Sequence, residues 1–214
     1  SCADLKIPIV AVSILYAHGY FEQHVDEWGI QHEQPVQWDP SQFARLLPVT
    51  VRVSIEGRPV VVRAWQHDVT GLTGYVVPLL LLDTKSEENA ADDRELTSDL
   101  YGGDERYRLA QEIVLGIGGI RMLRALGYTN IERFHMNEGH AALLALELLG
   151  ERKQREQAAW DFDSVRRDCL FTTHTPVPAG HDQFSHELVK QMLGDTTSLE
   201  VLKMLGGRDR LNMT

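Results

Sequence analysis

The chain has 214 residues, 43% of them hydrophobic and 24% charged, with a formal net charge of -10. That length is enough for a domain with a sizeable core, and the composition is that of an ordinary soluble globular protein. The acidic balance argues against nucleic acid or an anionic membrane as the main partner, since both reward clustered Lys and Arg.

Ile7 to Leu15 is a continuous apolar, β-rich run, which predicts a strand buried on both faces. It is too short to span a bilayer and carries no basic flank or cleavage site. Tyr16 to Trp38 mixes aromatics with Gly and Gln, as a structured loop or irregular helix does; Tyr20 and Phe21 suit stacking on a sugar, and burial in a core accounts for them as well. From Val49 to Leu82 the pattern turns to β. Val49 to Ile55 alternates, Glu56-Gly57 makes a turn, Pro59 to Trp65 continues as a partner strand, and Tyr75 to Leu82 adds a third. Asp83 to Asp99 is rich in Glu, Asp, Ser and Asn, which predicts a solvated, exposed loop.

Asp104 precedes a long helix, Glu105 to Leu126, with one apolar stripe of Ala110, Ile113, Val114, Ile117, Ile120 and Leu123. Gly116, Gly118 and Gly119 lie inside it. A phosphate-cradling loop precedes a helix, so these glycines predict close packing against a neighbouring backbone. Gly127 suits the position after the helix. Glu151 to Asp168 reads as a charged helix, His186 to Leu193 as another ended by Gly194, and Ser198 to Leu205 as a short one. Two cysteines, Cys2 and Cys169, far apart and without metal-ligand spacing, fit a reducing compartment and a cytoplasmic protein.

Two strand ends carry the polar chemistry. Ile131 to Met136 suits a short strand, and the run after Gly139 has helical periodicity, so Asn137, Glu138, Gly139 and His140 fall at the change of period. Asn137 as a helix cap explains itself but leaves Glu138 and His140 unaccounted for. Cys169 to Thr173 reads as a second strand, ended by His174 and by Pro176 and Pro178. If these strands are parallel neighbours, both ends face one crevice, and open α/β sheets put their ligand sites outside the strands' carboxyl ends. A zinc site on His135-Met-Asn-Glu-Gly-His140 is disfavoured: metal pairs on helices stand at i and i+4, and here the spacing is five with Gly before the second His. No metal is expected. Glu138 and Asp182 as a hydrolase carboxylate pair stay open, because a sequence does not give their separation.

The stretches FHMNEGHAA and FTTHTPVPAGHDQF, with LLLDTKSEEN and LYGGDERYRLAQEIVLGIGGIRMLRALG before them, closely resemble the α-glucan (glycogen or maltodextrin) phosphorylases, in particular their shorter bacterial branch. The resemblance covers nearly the whole chain. It implies an α/β fold, part of the amino-terminal Rossmann-like domain of a GT-B glycosyltransferase, with residues 1–214 forming a single partial domain and a β-rich insertion at about 49–82. The chain starts Ser-Cys-Ala-Asp and ends Leu-Asn-Met-Thr, which reads as an internal piece of the amino-terminal half. The implied activity is release of α-D-glucose 1-phosphate from an α-1,4-glucan (maltodextrin, glycogen or starch) by phosphate, with retention, using pyridoxal phosphate whose lysine lies outside this stretch. By the same resemblance, His174 contacts the glucosyl residue and its backbone carbonyl faces the developing positive charge. Asn137, Glu138 and His140 line the neighbouring channel with Thr175, His181 and Asp182 around it, and Asp104, with Gly102 and Gly103, falls in an active-site gate loop. The isolated stretch is expected to be inactive. Two other classes remain: a nucleotide-sugar glucan synthase of the same architecture, and a non-catalytic glucan-binding module.

Overall fold

The structure is a computed structural model, and it describes all residues except 1, 20, 21, 35, 37, 101, 157–159, 178–180 and 195–196. Tyr20, Phe21 and Pro178, singled out above, lie outside the described residues.

The central sheet has four strands in the order β1-β6-β5-β4: β1 (Ala11–Ile14), β4 (Arg45–Ile55), β5 (Arg58–Thr70) and β6 (Val76–Asp83). The alternating residues after Val49 form the expected hairpin, and Glu56 and Gly57 both take positive φ (52° and 75°) at its turn, the backbone that a two-residue hairpin loop needs. Its last strand β6 pairs in parallel with β1, Ala11 opposite Leu79 and Ile14 opposite Leu82, so the β-rich segment and the first strand share one sheet. β1 is shorter than the apolar run predicted. It stands at the sheet edge, and Ile7 and Ile9, which precede it outside the sheet, are exposed.

Between β1 and β4, two exposed antiparallel strands, β2 (Glu22–Val25) and β3 (Gln31–Gln34), replace the expected loop or irregular helix. Their polar residues carry no buried face and hence no period. Asp26 holds the turn, accepting from Trp28 N at 3.0 Å and Ile30 N at 2.9 Å.

Residues 83–99 correct the reading of a solvated loop. A short helix α1 (Ala91–Arg94) forms there, and Asp83, Thr84, Ser86, Asn89, Asp93, Thr97 and Ser98 are buried. The polar groups find partners within the protein: Asp83 accepts from the Arg63 and Trp65 side chains and Asp93 from Arg58, while Asn89 accepts from Val61 N and donates to Val61 O and Thr84 O, each at 2.8 Å.

The long helix appears as α2 (Glu105–Ile113), a π-helical turn (Val114–Gly118) and α3 (Gly119–Ala125) in direct succession. Every residue of the expected stripe is buried, from 0% exposure at Ile113 and Val114 to 6% at Ile117 and Leu123. The glycines are where the helix meets other backbone and the sheet: a Cβ on Gly116 would lie 2.8 Å from Leu144 N, one on Gly118 3.4 Å from Val53, and one on Gly119 3.4 Å from Val12.

Beyond it come β7 (Phe134–Asn137), a 3-10 turn (Gly139–Ala141), α4 (Leu144–Glu156), α5 (Phe162–Asp168) and β8 (Cys169–Thr172). Gly150 sits inside α4 instead of preceding a helix, and the stretch read as one charged helix is divided between α4 and α5. Leu146, Leu148 and Leu149, directly before Gly150, anchor α4 in the core, so one glycine's propensity cost of about 1 kcal/mol is overridden by burial. The chain closes with β9 (Gln183–Ser185), α6 (His186–Leu193), α7 (Leu199–Gly206) and β10 (Arg210–Asn212), β9 and β10 pairing antiparallel.

Candidate functional site

β7 and β8 are parallel neighbours, with Phe134 opposite Cys169 and Asn137 opposite Thr172. Both polar strand ends therefore leave the same edge of the pair, and Glu138 N continues the ladder to Thr172 O at 2.9 Å. His174 Nε2 donates to Asn137 Oδ1 at 2.7 Å. Asn137 does not cap the helix that follows; its side chain is turned to the other strand.

Glu138 binds the two ends together. Its Oε1 accepts from the backbone N–H of His174 and from Thr175 N at 3.0 Å and Thr175 Oγ1 at 3.3 Å, and its Oε2 accepts from Thr173 Oγ1 at 3.2 Å. The residue does this from a backbone of φ 68° and ψ 177°, a region that is essentially reserved for glycine and costs on the order of 1–3 kcal/mol otherwise. A strained residue at a polar strand end is a mark of a functional site, since the surrounding bonds must hold it there.

The backbone N–H of His174, then those of Thr175 and the hydroxyls of Thr173 and Thr175, hold the Glu138 carboxyl below its ordinary value against the opposing effect of burial. A depressed carboxyl stabilises above its unfolded value, about 4.3, and that contribution is lost as pH falls through the folded value. Acidification is therefore expected to loosen residues 173–175 first. Amide exchange at His174 and Thr175 should rise on going from pH 7 to about pH 3 relative to that at Val62, and Glu138→Gln should remove the pH dependence; protection unchanged at acid pH would refute the role of this carboxylate.

The other candidates except Asp104 lie around this junction in two groups. His181 joins it directly: Nε2 donates to Thr175 O at 3.0 Å and Nδ1 lies 2.7 Å from Thr214 Oγ1. His140 and Asp182 form the second group, His140 Nδ1 being 3.6 Å from Asp182 Oδ2, while Arg108 pairs with Asp182 Oδ1. Asp104 stands apart, its carboxylate capping α2 by accepting from Tyr107 N at 2.9 Å. His135 and His140 point to different partners, His135 Nε2 lying 2.7 Å from Thr172 Oγ1, as the spacing of five implies.

Two residues of α2 were not legible as site residues. Arg108 and Glu112 are one helical turn apart and face the His140–Asp182 pair. Glu112 is 3% exposed, and burial pushes its carboxyl up against the pull of His140 and Arg108. A charged residue adjoining an apolar stripe was the available signal, and it is also what a solvated helix face looks like.

No family profile matches the chain. Among curated proteins it is 42% identical over 212 residues to a glycogen phosphorylase of Mycobacterium tuberculosis, covering 91% of this chain and 24% of that protein. A maltodextrin phosphorylase of Thermococcus litoralis is 36% identical over 235 residues, covering 100% and 26%, and a glycogen phosphorylase of Aquifex aeolicus is 29% identical over 214 residues, covering 95% and 30%. The chain thus spans about a quarter of the length of the first two relatives. Among solved structures, the catalytic domain of starch synthase IV from Arabidopsis thaliana, bound to ADP and acarbose, matches with a TM-score of 0.53 at 13% identity, covering 83% of this chain and 32% of that one. At that identity the likeness shows the fold alone, an α/β architecture shared with that catalytic domain. With the strand ends FHMNEGHAA and FTTHTPVPAGHDQF lying inside the matched stretches, the chain belongs, over the stretch it spans, to the family of the glycogen and maltodextrin phosphorylases.

Proposed function

We propose that this chain is part of the amino-terminal Rossmann-like domain of an α-glucan phosphorylase and forms one wall of its glucosyl site. The observation that carries the reading is the His174–Asn137 contact at the carboxyl ends of two parallel strands, where α/β sheets place ligands. The substrates would be an α-1,4-glucan and inorganic phosphate, and the product α-D-glucose 1-phosphate. His174 and Asn137 offer donors and acceptors to sugar hydroxyls. Glu138, by fixing the 173–175 backbone, sets where the His174 carbonyl points, and a fixed dipole aimed at developing charge is a large source of rate. Asp104 is assigned to the gate loop through its place at the start of α2. The free cysteines are consistent with a cytoplasmic enzyme, and among the described residues no helix is long and apolar enough to cross a membrane.

The family's pyridoxal phosphate does not fit the residues present. An amine is needed to hold its aldehyde, and the junction is built of His, Asn, Glu, Thr and Asp; the lysines of the chain, Lys6, Lys85, Lys153, Lys190 and Lys203, all lie on other elements. The cofactor is assigned to residues outside this chain.

The test compares the chain alone with a polypeptide that carries it at its relatives' full length. The long form should release glucose 1-phosphate from maltodextrin only when phosphate is present, the chain alone should release none, and His174→Ala in the long form should lower the rate about 100-fold, the scale on which misplacing a reacting group is felt. Consumption of ADP-glucose without phosphate would assign a glucan synthase instead. Binding of maltodextrin with no turnover and no loss on His174→Ala would assign a binding module.

A further inference from the structure

Glu112 is a buried acid for which the junction has no evident use. Its side chain is 4% exposed, and among the described residues neither carboxylate oxygen has a hydrogen-bond partner. His140 Nδ1 lies 4.0 Å from Glu112 Oε1. The same nitrogen lies 3.6 Å from Asp182 Oδ2. Helix α2 from one side and the segment before β9 from the other therefore aim two carboxyl groups at a single ring nitrogen.

A neutral imidazole has one N–H and one bare nitrogen, and the environment of either nitrogen selects the tautomer. A bare lone pair turned to two carboxylate oxygens is repelled by both, whereas an N–H there is attracted by both. We propose that Asp182 and Glu112 lock His140 with its proton on Nδ1, so that the bare Nε2 on the opposite edge of the ring is a hydrogen-bond acceptor offered to a sugar hydroxyl. The His140 side chain is 51% exposed, so the ring is within reach of a ligand. Glu112 and Asp182 are then positioning residues: they touch no substrate and act through the ring.

The charged groups facing the ring are Glu112 from α2 and Asp182 from the segment before β9, with Arg108 of α2 on the far oxygen of Asp182. Of the two carboxylate oxygens of Asp182, Oδ2 is the one that lies 3.6 Å from the ring nitrogen. Burial pushes the Glu112 carboxyl up, and Asp182, at 3.6 Å against 4.0 Å for Glu112, is the nearer acceptor. A ligand hydroxyl satisfies Nε2 by donating to it. A fluorine or a methyl ether at the same sugar position has no hydrogen to give and leaves Nε2 unpaired. The identity of the ligand rests on the phosphorylase reading; the tautomer does not.

The test is a long-range nitrogen–proton correlation spectrum of the chain labelled with 15N-histidine, recorded at about pH 8.5, where an ordinary imidazole is neutral. His140 is assigned by the signal that His140→Gln removes. The expected pattern is a protonated Nδ1 and a bare Nε2, the reverse of the form free histidine favours in water. The double variant Glu112→Gln, Asp182→Asn should shift the population toward the Nε2–H form. A protonated Nε2 in the unaltered chain, with or without a proton on Nδ1, overturns the proposal, and so does a tautomer the double variant leaves unmoved. The unaltered chain decides the first point alone, so a variant that does not fold cannot protect the idea. No glucan enters the measurement, which keeps its failure separate from failure of the assigned activity.

Discussion

Gly116→Val is expected to destabilise the chain by about 3 kcal/mol, the upper end of the cost of overpacking a filled core. Gly116 is inside the π-helical turn, where a Cβ would lie 2.8 Å from Leu144 N, 2.9 Å from Leu143 C and 2.9 Å from Leu143 Cβ. Two of those three atoms are backbone and have no rotamer to change. Relief requires α4 to move, and α4 carries Leu146, Leu148 and Leu149 into the core. In a helix with free space around it, replacing Gly by a residue with a side chain gains up to about 1 kcal/mol of propensity; here the clash is larger and sets the sign. Gly118→Ala is the control, since its Cβ would meet Val53 at 3.4 Å and Val62 at 3.6 Å, distances that a side chain accommodates with little shift. Urea midpoints read both, and a Gly116→Val chain as stable as the unaltered one would show that α4 is free to slide.

Asp83→Ala should cost about 3 kcal/mol, the lower end of the range for removing one partner of a buried ion pair. Asp83 ends β6 at 1% exposure. Its carboxylate accepts from Arg63 Nε at 2.8 Å and Nη2 at 3.0 Å, from Trp65 Nε1 at 2.7 Å and from Lys85 N at 2.9 Å. Alanine leaves all four donors without an acceptor in a space that water reaches poorly. The lower end applies because the Arg63 side chain keeps 23% of its surface exposed and rehydrates in part. Adding Arg63→Met to Asp83→Ala should recover part of the loss, because the unpaired charge is then gone. If Asp83→Ala alone shifts the urea midpoint by an amount worth under about 0.5 kcal/mol, Asp83 is not the centre of this network.

These two sites also show what the sequence could and could not disclose. The stripe on α2 and α3 was legible because burial on one side of a helix imposes a period, and the three glycines were legible as contact points because they break propensity inside that period. The junction was legible because Asn137, Glu138 and His174 stand where an apolar pattern stops. Residues 83–99 were not, since Asn, Asp, Ser and Thr look alike whether they bind water or backbone; Asn89 binding Val61 is a long-range fact with no local trace. Glu112 escaped for a related reason. Its partners His140 and Asp182 come from segments 28 and 70 residues away, and only the fold brings them under one helix.

Helix α2 begins at the Asp104 cap and carries Glu112 eight residues later, a rise of about 12 Å. It runs without a break, as one stiff rod, from the Gly102–Gly103 turn to Glu112 beside His140. A shift of that turn along the helix axis is therefore delivered undiminished to Arg108 and Glu112, so the turn and the surroundings of the His140 ring are mechanically one part.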